Sequence, residues 1–80
     1  MMSVMTRDEW LLRLAAELGV APPTAAETEA LLAVAGVSAH TAERTAAPLS
    51  CWLAARAGLA PTDALAVVNR LAAVADRDGA

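Results

Sequence analysis

Apolar residues recur at three- and four-residue intervals through most of the chain, and turn-forming residues interrupt them at three places. In the first run Trp10, Leu11, Leu14 and Leu18 share one helical face, with Arg7, Arg13 and Glu17 largely outside it. Thr6 and Glu9 precede this run at capping-box spacing. Gly19 follows it and can take the left-handed conformation that closes a helix. The pattern predicts a first helix over about residues 7 to 18. Val20-Ala21-Pro22-Pro23 reads as an extended connection, because each proline restricts the residue before it.

Thr24 and Glu27 repeat the capping-box spacing, and Glu27 and Glu29 place acid where the helix dipole favours it. Leu31, Leu32, Ala35, Ala39 and Ala42 then make an apolar stripe. Gly36 interrupts propensity but not period, so it marks either a helix break or a place where another helix packs closely. One continuous helix to about residue 43 is the preferred reading. Pro48 suits the first turn of a third helix, which Leu49, Trp52, Leu53 and Arg56 continue and Gly58 ends. Thr62 reads as the N-cap of a fourth helix, with Asp63 in its first turn and Leu65, Val68, Leu71, Ala72 and Ala75 along it to about Asp76. The ends, about residues 1–5 and 77–80, are expected to fray. The expected fold is all-α: a compact four-helix bundle with short connections, forming one domain over residues 1–80.

Composition sharpens this reading. The chain is 58% hydrophobic but only 2% aromatic, with neither Phe nor Tyr. Much of the apolar share is alanine, which favours helix and buries little area per residue. A core therefore has to come from the leucines, the valines, Trp10 and Trp52, and both tryptophans are expected inside it, with a partner site as the weaker alternative. At 80 residues a single core is only marginally sufficient.

Charge and cysteine usage exclude several classes. The net charge is −3, and the six arginines are scattered among acids with no lysine beside them, so no nucleic-acid partner is expected. No apolar run approaches the roughly 20 residues that span a bilayer, and the N-terminal stretch lacks a signal-peptide pattern. The single cysteine, Cys51, cannot form an internal disulfide, so a cytoplasmic protein without membrane association is expected.

Candidate chemistry concentrates between the second and third helices. His40 and Arg44 are four residues apart and share a helical face. Free amides around Leu49, Ser50 and Cys51 at the start of helix three, together with Thr45 and Ser50, can join them in holding an anion such as a phosphate or carboxylate. In the competing structural reading Arg44 caps the last carbonyls of helix two and His40 bonds to nearby backbone or to Glu43. The structural reading is preferred, because a helix end supplies such partners by default.

Cys51 at a helix start with His40 as base is a weaker, enzymatic alternative, since no third group orients the histidine. One His and one Cys match no metal-ligand spacing, and no cofactor is implied. Glu27/Glu29 and Asp76/Asp78 lie at helix ends and read as solvated or capping groups. On helix four, Val67, Leu71 and Val74 form an apolar stripe beside that of Leu65, Val68, Ala72 and Ala75. The combined arc exceeds what a peripheral bundle helix needs, so self-association through Val67, Leu71 and Val74 is expected, with a symmetric dimer as its default form. A helix four packed centrally against all the others would absorb the same arc.

The segment Val37-Ser38-Ala39-His40, continued by Glu43-Arg44-Thr45-Ala46-Ala47-Pro48-Leu49, Leu53 and Ala57-Gly58, resembles a small actinobacterial family, the DUF6457 domain. Trp10-Leu11 and Leu14-Ala15-Ala16-Glu17-Leu18-Gly19 match its first element, and Cys51-Trp52 and Arg56 depart from its usual pattern. Some members of that family are fused to, or carry the name of, molybdenum-cofactor guanylyltransferases. The resemblance therefore implies a non-catalytic accessory or protein-interaction role in molybdenum-cofactor biosynthesis, with such an enzyme as partner. The alternative is a domain that binds a nucleotide or pterin phosphate at the His40–Arg44 corner.

Overall fold

The computed structural model describes residues 4–78, which form four α-helices: α1 (Arg7–Leu18), α2 (Ala25–Thr41), α3 (Ala46–Arg56) and α4 (Pro61–Asp78). The all-α, four-helix architecture with short connections is the one expected. Of the expected frayed ends, residues 1–3, 79 and 80 lie outside the described residues, whereas helix α4 continues through Asp78.

The helix ends follow from local chemistry. Thr6 Oγ1 accepts from the Glu9 amide at 3.1 Å, and Glu9 Oε1 accepts from the Thr6 amide at 2.9 Å. Thr24 and Glu27 repeat the arrangement at 3.1 and 2.8 Å. Each pair satisfies two amides that a helix start otherwise leaves free. Gly19 closes α1 at φ 72°, where the Val20 amide reaches Ala15 O and the Gly19 amide reaches Ala16 O. Gly58 ends α3 in the same way at φ 75°, with Leu59 bonded to Ala54 O and Gly58 to Ala55 O. Both are Schellman closures, and both need the left-handed conformation.

Two expected details are corrected. α3 begins two residues before Pro48, because the Ala46 and Ala47 amides turn back onto the carbonyls of Glu43 and Arg44 and start the helix early. Thr62 is not an N-cap: Pro61, with its preset φ and missing amide, already occupies the first helical position. In keeping with the preferred reading, α2 runs through Gly36 without a break, and a Cβ placed there would meet nothing within 4 Å.

α2 is the central element. It packs against α3 on one side and more extensively against α4 on another, while α1 and the α3–α4 pair make no interface of comparable extent. The molecule measures 50 × 31 × 18 Å, with a radius of gyration of 14.7 Å. A globular chain of this length has a radius of about 12 Å. Among the described residues the buried apolar ones are Ala15, Ala30, Val34 and Ala64. Because α2 is covered from two directions, apolar positions surround it, and Ala30 and Val34 lie off the stripe that periodicity picks out.

The expectation that the tryptophans fill the core is overturned. Trp10 is 54% exposed and Trp52 is 62% exposed. Both lie on helix faces that no other helix of the chain covers, and the buried positions of α2 and α4, Ala30, Val34 and Ala64, carry only alanine and valine, which let helices approach closely.

Candidate functional site

The corner between α2 and α3 is built by Ala42, whose φ −115° and ψ −89° end α2, and by the turn through Thr45 that starts α3. His40 and Arg44 are both exposed, and neither side chain hydrogen-bonds to another described residue. Thr45 Oγ1 donates to Glu43 Oε1 at 3.0 Å, which occupies that carboxylate locally. Arg44 therefore does not cap the carbonyls of α2, and His40 does not bond to Glu43. The early start of α3 also places the Ser50 and Cys51 amides within the helix's own hydrogen-bonded ladder.

The four corner residues are distributed rather than gathered. Ser50 is half-buried and lines a largely apolar groove with Val37, Ala46, Val68, Leu71 and Ala72. His40 lines an adjoining, more polar groove with Gly36, Asn69 and Asp76, and the two grooves share Val37, Thr41 and Ala72. Arg44 and Thr45 line neither groove. Asn69 and Asp76, which the sequence reading did not join to His40, stand three residues before and four after Ala72, so α4 carries all three past the end of α2. Among the described residues no group of three or more His, Cys, Asp or Glu side chains could hold a metal ion.

Cys51 is half-buried, and its thiol lies 3.9 Å from the Leu31 carbonyl of α2. This is a weak donor contact across the α2–α3 seam, in keeping with a small packed side chain. Glu9 has its carboxyl held below the usual range, chiefly by the bond from the Thr6 backbone and then by that from the Thr6 side chain.

Rows of large apolar side chains are exposed on three of the helices. On α1, Trp10, Leu14 and Leu18 recur every fourth residue and are 54%, 37% and 65% exposed. Along one flank of that stripe, Leu11 is half-buried and Ala15 is buried. On α3, Leu49, Trp52 and Leu53 are all exposed, while Ala46, Ala47, Ser50, Cys51 and Ala54 are half-buried. On α4, Val67, Leu71 and Val74 stand outside, while Ala64 is buried and Leu65, Val68 and Ala72 are half-buried. The two stripes predicted for α4 are therefore distinct: one packs through Leu65, Val68 and Ala72, although its last member, Ala75, is exposed, and the other is open. Periodicity found all three rows, but it could not say that the open ones lacked a covering helix. Among the described residues no helix is long and apolar enough to cross a membrane.

The protein belongs to the family described as a domain of unknown function (DUF6457), whose profile matches residues 2–80. No curated protein and no solved structure matches the chain.

Proposed function

We propose that this chain is a non-catalytic protein-interaction domain that docks through its exposed apolar rows. The observation that carries the reading is the inversion of side-chain size between inside and outside. Among the described residues three of the four buried hydrophobic residues are alanines, whereas Trp10, Trp52, Leu18, Leu49 and Leu71 are all more than half exposed. Exposed apolar surface on this scale is the usual mark of a protein contact, and tryptophan is the residue most enriched at the centres of such contacts.

The resemblance first noted in the sequence supplies the candidate partner, a molybdenum-cofactor guanylyltransferase, which the domain would serve in an accessory role. The dispersal of His40, Arg44, Thr45 and Ser50 supports docking over capture of an anionic ligand. Biolayer interferometry between the immobilised chain and the purified guanylyltransferase tests the reading. Saturable binding that Trp52→Glu abolishes, with helicity retained, is the expected result. Absence of binding by the wild-type chain excludes that partner. Absence of any change in association state or partner binding when all three rows carry glutamate excludes the docking role itself.

A further inference from the structure

The accessible surface of the chain is 6336 Å², about 1,800 Å² more than a folded monomer of 8.2 kDa exposes. Stable interfaces of ordinary size remove about 800 Å² from each partner, and obligate dimers remove more. The surplus is thus large enough for an obligate contact, and two exposed apolar features of the chain match in length.

The first feature is a cleft. α3 and α4 both rest on α2 without packing extensively on each other, and the groove between them is lined by Val37, Ala46, Ser50 and Leu71. Leu49 and Leu53 stand three residues beyond Ala46 and Ser50, so they extend the α3 wall outward. Val67 and Val74 flank Leu71 at helical spacing and extend the α4 wall. That wall is about 10 Å long along the helix axis. The second feature is the open row of α1, Trp10–Leu14–Leu18, which runs about 12 Å along its helix.

The chain's own α1 does not reach this cleft. Its first residues, Arg7 and Asp8, and its Leu11 face Pro23, Thr28 and Leu32, at the opening turns of α2. The cleft floor begins at Val37, five residues and about 8 Å beyond Leu32 along α2, and no α1 residue lines the cleft. The charged neighbours of the two surfaces are mixed in sign, with Arg13 and Glu17 beside the α1 row and Asp63 and Arg70 beside the α4 row. The net charge of −3 therefore does not set one surface against the other.

Resting on the docking role proposed above, we infer that the chain forms a two-fold homodimer in which α1 of each copy lies in the α3–α4 cleft of the other. The arrangement is reciprocal, so each dimer contains two identical seats. It differs from a dimer joined face to face through α4 alone, because it requires the α1 row as much as the α4 row.

Light scattering on the purified chain should give twice 8.2 kDa at micromolar concentration. Leu14→Glu and Leu71→Glu should each give a monomer with unchanged helicity, since both side chains are outside the core. An equimolar mixture of the two should regain dimer, because one seat then joins an unaltered α1 to an unaltered cleft. Isotope-filtered NOEs on mixed labelled and unlabelled wild-type chain should connect the Leu14 methyls of one copy to the Leu71 methyls of another, which decides the matter if a variant unfolds. A monomeric wild-type mass overturns the inference, as do a dimeric Leu14→Glu variant, a folded mixture with no regained dimer, or cross-chain contacts confined to α4 against α4. A monomer that still binds a different protein overturns only the inference, whereas a dimer that binds nothing else leaves it standing and removes the accessory role.

Discussion

The thiol of Cys51 lies 3.9 Å from the backbone carbonyl of Leu31, joining α3 to α2 near the middle of the central helix. Leu31 and His40 are nine residues apart on α2, about 13 Å along its axis. The carbonyl that receives the thiol is therefore more than two turns from the ring that a nucleophilic reading would need as base. Cys51→Ala should lower stability by about 1 kcal/mol through lost packing at this seam, shifting the thermal midpoint by about 4–8 °C. Circular dichroism melts of the two chains measure it.

Glycines provide a test of opposite signs. Gly36 is helical, and a Cβ there meets nothing within 4 Å, so Gly36→Ala should stabilise by about 1 kcal/mol through helix propensity alone. Gly58 also has open space around its Cβ position, but its φ is +75°. Gly58→Ala should therefore destabilise by about 1–2 kcal/mol from backbone strain alone. Urea midpoints for the two variants should move in opposite directions.

These local features explain why some of the structure was legible in the sequence. The span of α1 was set by three residues acting on their own neighbours: Thr6 and Glu9 at one end and Gly19 at the other. α2 was legible at its start for the same reason, and its end fell near the expected place. Thr62 misled because a threonine before acidic and apolar residues has the composition of a cap, yet Pro61 started the helix first. The tryptophans misled for a longer-range reason. Periodicity shows that Trp10 and Leu14 share a face, but whether a helix of the same chain covers that face depends on tertiary packing. The corner site was illegible in the same sense: His40 and Arg44 share a face of a regular helix, but α2 ends at Thr41 and the chain turns between them.

The two capping boxes should differ in their consequences. α2 is packed on two sides, so loss of the Thr24 cap should be felt throughout the fold. Thr24→Ala should cost about 1 kcal/mol of global stability. α1 packs little on the remaining helices, so Thr6→Ala should fray α1 and leave the main transition nearly unchanged. Amide exchange resolved by residue separates the two cases: faster exchange confined to Arg7–Leu18 is expected for Thr6→Ala, and faster exchange in α2, α3 and α4 together for Thr24→Ala.

Acid should loosen α1 selectively. Hydrogen bonds from Thr6 hold the Glu9 carboxyl below its ordinary range, so the folded state favours its ionised form. A depressed carboxylate contributes its stabilisation above the unfolded value and loses it as pH falls through the folded value. Helicity of residues 7–18, followed by backbone carbon shifts, should accordingly drop as pH is lowered from the ordinary carboxylate range through the lowered value. Glu9→Ala should abolish that local pH dependence while leaving α1 less helical at neutral pH.

Arg44 separates the docking role from the ligand-binding one. Its side chain is exposed and makes no hydrogen bond to a described residue, and it lines neither groove at the α2–α4 seam. A capping role would make Arg44→Ala destabilising, because α2 carbonyls would lose a partner. An anion-binding role would leave the melt in place but give the wild-type chain a measurable affinity for a phosphate ester, lost in the variant. The observed geometry supports neither consequence. Arg44→Ala should change stability by less than about 0.5 kcal/mol, as substitutions at unengaged surface positions do. Calorimetric titration of wild type with GMP, GTP and a pterin phosphate should release no heat beyond dilution. Heat that saturates for the wild type and vanishes in Arg44→Ala would return the corner to the role of a binding site, with closure of the turn as the motion that brings His40 and Ser50 to it.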